Sequence, residues 1–129
     1  MKIVNEPLLA SFRRHGNCRW CGKMCQMLCA HHIWGKGAGR VDIPCNLIAL
    51  GMDAVRDCNC HSMHHSGEVP TRDCFLAVSA MDHKCMQDDI TALVMLIRRL
   101  DRDTTREQLF AAIERECGLG ARELARRCL

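Results

Sequence analysis

The chain has 129 residues, a formal net charge of +3 and eleven cysteines. That length supports one core with small accessory helices and excludes a second catalytic domain, while the mild charge leaves any nucleic-acid role to local clusters of Lys and Arg. No stretch approaches the ~20 apolar residues of a membrane span, and no apolar leader runs from Met1 to Ala10, so a cytoplasmic, reducing setting without membrane contact is expected.

In chain order, three parts are expected: an N-terminal helical arm over 1–17, a Cys/His-rich core over 18–67 and a helical extension over 68–129. In the arm, Asn5 to Arg14 reads as a short helix with Pro7 near its start, Leu8, Leu9 and Phe12 on one side, and Gly16 ending it. The core is interrupted by Gly35, Gly37, Gly39, Pro44 and Gly51, which predicts short elements and a stability that leans on metal. Within it, a strand is expected in Gln26 to Trp34, a returning strand over Asn46 to Leu50, and a helix opening at Cys60 and His61. Beyond Thr71 the pattern turns helical, first over Arg72 to Met81. Next comes a segment capped by Asp88 or Asp89, in which Ile90, Leu93, Val94, Ile97 and Leu100 recur at helix spacing. Thr104 and Glu107 form a capping box ahead of Leu109, Phe110 and Ile113, and Ala121 to Cys128 adds a last turn or two.

The chemistry starts at Cys18 and Cys21, because CxxC followed by glycine makes a tight knuckle whose thiolates converge on one ion. An odd cysteine count, with CxxC spacing and interleaved histidines, favours metal ligation over a disulfide framework. Cys58 and Cys60 are the leading partners, since they would draw the ends of the intervening segment together; Cys25, Cys29 and Cys45 are available as substitutes. Cys74, Cys85, Cys117 and Cys128 are read as packing residues. Adjacent His31 and His32 on a strand point to opposite sides, so one can ligate a metal while the other takes a proton from water. His61 and His65, at i and i+4 on a helix, share one face and can reach one ion, whereas His64 falls off that face.

These elements, in this order, resemble the HNH nucleases of the ββα-metal class: CRWC, AHHI, the Asn of DIPCNL, and NCHSMHH over Cys18 to Gly67. The resemblance implies an α+β fold, a ββα-metal (His-Me finger) core stapled by a structural zinc and followed by a small helical region. It implies His32 as general base, Asn46 holding the hairpin loop and orienting the base, and His61 as the terminal histidine. His31, His61 and His65 would hold the catalytic ion, similar to the colicin-type nucleases, while Cys18, Cys21, Cys58 and Cys60 would hold zinc. The family often has a cysteine where this chain has Gly51, and MDAVRD then precedes CNCH, so the third and fourth zinc ligands are left open. The implied activity is endonucleolytic hydrolysis of phosphodiester bonds with one divalent ion (Mg²⁺, Mn²⁺, Ni²⁺ or Zn²⁺), leaving 5′-phosphate and 3′-hydroxyl ends.

Double-stranded DNA is the expected partner, with Lys36 and Arg40 of the glycine-rich loop holding backbone phosphates. Arg98, Arg99, Arg102 and Arg106 either extend that footing or form a solvated helix face beside Asp101, Asp103 and Glu107. A zinc finger is excluded on spacing, because CxxC and HxxxH lie several times further apart than the about 12 residues of that motif. The competing reading is a catalytically silent, zinc-stabilised DNA-binding or adaptor module. Met95 and Leu96, outside the main apolar stripe, leave room for a homodimer or for a phage or mobile-element protein partner.

Overall fold

The computed structural model describes residues 1–52 and 55–129; of the MDAVRD insertion, Asp53 and Ala54 lie outside the described residues. The architecture is mixed α and β, with six α-helices and two two-stranded antiparallel sheets among the described residues. Helix α1 (Glu6–Phe12) begins at Asn5, whose side chain accepts the Leu8 N–H at 3.0 Å, and Pro7 sits in its first turn, where no N–H is needed. It buries none of its residues fully, so it lies on β3 as a half-buried arm. Ahead of it, Ile3 bridges Val41 and joins the chain's first residues to the core.

Strands β1 (Gly16–Asn17) and β2 (Met24–Cys25) form a small hairpin, and β3 (Leu28–His32) and β4 (Leu47–Gly51) form a longer one. The register of the second pairs His31 with Ile48 and His32 with Leu47. Asn46 falls just before β4, in a 3-10 turn over Pro44–Asn46, because Pro44 starts the turn and the Asn side chain is needed by the loop rather than by the ladder. Helix α2 (Cys60–His65) follows and packs on β4.

Four further helices complete the fold: α3 (Arg72–Asp82), α4 (Gln87–Arg99), α5 (Arg106–Glu116) and α6 (Leu119–Cys128). Helix α4 is central. It buries Ile90, Leu93, Val94, Leu96 and Ile97 against α3, α5 and α6, each worth about 1.5–3 kcal/mol in apolar transfer. Leu96 therefore lies inside the core and Met95 packs against it. Three helix starts differ from the sequence expectation. Asp89 sits in the first turn of α4 and accepts the Met86 N–H at 3.0 Å, so the helix opens earlier. Thr105 with Gln108, not Thr104 with Glu107, makes the capping box of α5, which keeps Leu109 and Ile113 inward. Helix α6 begins two residues earlier than expected, at Leu119.

One apolar core runs from Leu28, Ile33, Ile48 and Leu50 of the hairpin through Phe75 to Leu93, Ile97 and Leu124 of the helices. Ser79 of α3 donates to the Cys45 carbonyl at 2.7 Å, and Arg19 of the first hairpin pairs with Asp82 of α3 at 2.6 Å. The Cys/His-rich segment is thus seated on the helical half. No helix among the described residues is long and apolar enough to cross a membrane.

Candidate metal centres

The sulfur centre is built by a turn. Cys18 N–H donates to Lys23 O and Gly22 N–H to Cys18 O, both at 2.9 Å, closing CRWCGK at the tip of the β1–β2 hairpin. Gly22 holds φ +78°, a left-handed conformation that glycine adopts without steric cost. The thiols of Cys18, Cys21, Cys58 and Cys60 converge so that their sulfurs all lie within 4.8 Å of one another. Cys58 and Cys60 are thereby the third and fourth members of a Cys₄ cluster with the donor set of a structural zinc site.

Gly51 stands at the back of this cluster. A Cβ there would lie 2.8 Å from Cys25 Sγ and 3.0 Å from Cys58 Sγ, so the position backs directly onto the cluster and has no room for a side chain. Its backbone N–H instead favours the thiolate form of Cys18 and Cys58. Burial pushes the Cys18 thiol up; at Cys58 burial acts in the same direction but is outweighed by N–H groups of Cys60 and Gly51 and by neighbouring thiols, bringing it down to about 7. Such a thiol yields its proton readily to a cation. Cys25 is a buried fifth sulfur in contact with Cys58, and its own thiol donates to Lys23 O at 3.3 Å. Cys29 is half-buried on β3, and Cys45 packs with Cys128 in the helical half.

The second centre is made of imidazoles. His31 on β3 and His61 and His65 on α2 bring one ring nitrogen each within 4.8 Å of the others. His61 Nε2 and His65 Nε2 face each other at 2.9 Å, and the His31 ring lies 4.9 Å from that of His61. His31 is buried against Phe75, and its Nε2 has no hydrogen-bond partner. Burial, reinforced by His61, His64, His65 and His32, lowers its pKa to about 3, so the ring is neutral at physiological pH. His61 is lowered by burial and by His65 and His64. His64 packs on His31 at 4.8 Å and on Phe75, but its Nδ1 bonds Pro70 O at 2.9 Å, which leaves it out of the converging set.

A cavity of about 360 Å³ connects these rings to their surroundings; it is lined by His31, His32, Lys36, His61 and His65 with Ala30 and Gly35, and by no carboxylate among the described residues. His32 lies next to the cluster but turns its Nε2 to Asp42 Oδ1 at 2.7 Å. Asp42 is buried. Burial alone would raise its carboxyl, but Arg40, the Asn5 N–H at 2.8 Å and His32 hold it well below the usual carboxylate range. An ionised carboxylate only accepts, so His32 donates from Nε2, and Nδ1 is the nitrogen left to accept a proton. Sequence reasoning missed Asp42. The available signal was the i, i+2 spacing of Arg40 and Asp42 in an extended segment before Pro44, which puts both on one side of the chain.

Asn46 is fully buried and ties the loop ends together: its Oδ1 accepts the Trp34 N–H and its Nδ2 donates to Val41 O, both at 2.9 Å. Lys36 is exposed at the cavity edge. Arg40 is committed within the protein, to Asp42 at 2.6 Å and to Glu6 at 2.9 Å, and this differs from a role in holding phosphates. No family model, curated protein or solved structure matches this chain, and any functional assignment rests on the geometry of the two centres.

Proposed function

We propose that the chain is a metal-dependent endonuclease of HNH type, with a ββα-metal core formed by β3, β4 and α2, acting on phosphodiester bonds of DNA. The reading is carried by one observation: three imidazoles from a hairpin and its following helix converge beside His32 in a cavity, apart from the Cys₄ cluster. The His31 nitrogen that is buried without a partner, and the facing nitrogens of His61 and His65, suit a cation among them. Three imidazoles, with no carboxylate in the lining among the described residues, match a borderline transition ion better than magnesium.

When bound, a divalent ion supplies Lewis-acid stabilisation of charge on phosphate and leaving oxygen. The chain's own residues do the rest. Asp42 holds the His32 ring through Nε2, so Nδ1 takes the proton from water entering the cavity. Asn46 fixes the loop that carries Lys36 past the site, and Lys36 neutralises a backbone phosphate. The products carry 5′-phosphate and 3′-hydroxyl ends.

The test is incubation of supercoiled plasmid with pure protein and Mg²⁺, Mn²⁺, Ni²⁺ or Zn²⁺, beside His32→Ala and a chelator control. Nicking that disappears in His32→Ala while DNA affinity persists is the expected outcome. Binding without cutting under every ion would instead establish a silent DNA-binding module.

A further inference from the structure

The sequence left the arginines of the helical half undecided between substrate contact and a solvated face. The structure separates them. Arg99 lies 3.8 Å from Glu116, and Arg106 bonds Leu129 O and covers the Phe110 ring. Arg122 and Arg126 face Glu114. By contrast, Lys2, Lys36, Arg72, Arg98 and Arg102 have no carboxylate partner among the described residues.

These unpaired cations gather around the glycine-rich loop. Arg98 donates from Nε to Gly39 O at 3.2 Å and from its terminal nitrogen to Gly35 O, so it grips both ends of the 3-10 turn Lys36–Ala38. Behind that turn, Lys2, Arg98 and Arg102 line a second cavity of about 380 Å³ with Ala38 and Gly39, and neither Asp101 nor Asp103 enters the lining. Arg72 stacks on the Trp34 ring at 4.2 Å and stands close enough to Arg98 for the two like charges to oppose each other. Cations held near one another without counter-charge repel, and a polyanion relieves that repulsion.

We infer that the cleft of Lys2, Arg98 and Arg102 is a binding track for the phosphodiester backbone, continuing past the loop from the histidine cavity so that flanking phosphates are held while one bond lies at the imidazoles. The polyanion's identity rests on the nuclease reading; the charge arrangement does not. Arg98 positions the loop as well as contributing charge, so Lys2 and Arg102, exposed and without a carboxylate partner among the described residues, are the residues to test.

Duplex binding is followed by fluorescence anisotropy across a salt series, without added divalent ion, for wild type, Lys2→Ser/Arg102→Ser, and Arg115→Ser/Arg126→Ser. The last pair makes the same change in charge on residues paired with carboxylates. Loss of two phosphate contacts should flatten the slope of log K against log salt by about 1.8, which is about 60-fold weaker binding at 0.1 M salt. The control pair should change little. Equal weakening in both pairs, which reports net charge alone, overturns the track, and so does wild-type binding by the cleft pair. Loss of binding to phosphatidylserine vesicles with duplex affinity intact overturns it in favour of a lipid surface. Because no cutting is measured, failure of the nuclease reading shows separately, as a protein that binds through the cleft but nicks nothing.

Discussion

His31 offers a quantitative test of the imidazole centre. Its side chain is 7% exposed, and burial together with its histidine neighbours lowers its pKa to about 3 from the ordinary 6.5. The folded chain keeps this ring neutral while the unfolded chain takes up a proton, so the unfolded state binds more protons and stability falls as pH falls. That contribution is fully present above 6.5, drains as pH drops, and is exhausted near 3, where both states are protonated. At 1.36 kcal/mol per pH unit, acidification from about pH 7.5 to about pH 5 removes about 2 kcal/mol, or about 6–10 °C in Tm for a chain of this size. A bound cation acts in the same direction, because only the neutral ring ligates. His61 is lowered by burial, His65 and His64, not by His31, so it keeps its own contribution when His31 is replaced. Urea denaturation of wild type and His31→Leu at both pH values, with matched zinc, should show the stability gap shifting by about 2 kcal/mol in favour of the variant at the lower pH. Curves that stay parallel over that range refute the buried neutral imidazole.

Asp42→Asn keeps the shape of the side chain but deprives Arg40 and His32 of their shared anion; breaking a buried pair of this kind costs about 3–5 kcal/mol by chemical denaturation. The same variant should move the ¹⁵N shifts of the His32 ring, because the acceptor that fixes its tautomer is gone. Cys58→Ser should leave purified protein substoichiometric in zinc by elemental analysis, since one ligand in four carries about 3 kcal/mol of the ~10–16 kcal/mol typical of structural zinc. Gly51→Ala drives a methyl into Cys25 and Cys58 and should lower stability by about 1–3 kcal/mol, read as a lower melting temperature, with weaker zinc retention.

Local periodicity carried most of the helical half. The stripe Ile90, Leu93, Val94 and Ile97 appears in the structure as the buried face of α4, because an apolar recurrence at 3.6 residues has few other ways to leave water. Helix starts were less legible: Asp89, one of the two residues expected to cap α4, acts from its first turn on the Met86 N–H, and Thr105 caps α5 one residue after Thr104. For the site, the i, i+4 spacing of His61 and His65 and the alternation at His31 and His32 match the three ring nitrogens that converge, but nothing in the spacing showed that the His64 ring also packs on His31. Asp42 was not legible from a motif, because its partners come from α1's N-terminal flank, the loop and β3, and only folding brings Asn5, Arg40 and His32 to one carboxylate. Arg40 escaped for the same reason: a basic residue in a glycine-rich loop looks free until Glu6 and Asp42 are placed beside it.

The two centres share more than proximity. Cys60 and His61 are consecutive at the start of α2, one turned to the sulfurs and the other to the imidazoles. Phe75 lies between the two clusters, edge-on to Trp20 of the cysteine knuckle at 6.3 Å and to His31 at 5.4 Å. A cation locked among the four sulfurs therefore fixes the first turn of α2 and one wall of the aromatic contact, and through them the angle at which His61 meets His31. Withdrawal of that cation frees Cys58 and Cys60 and releases the helix start that aims His61. The Cys₄ and imidazole geometries are thus coupled through the first turn of α2, and that coupling acts in both directions. With ions in both sites, four thiolates would hold a borderline cation more tightly than three imidazoles, so stepwise chelation is expected to empty the imidazole site first with the fold retained by circular dichroism; simultaneous loss of both ions would refute that order.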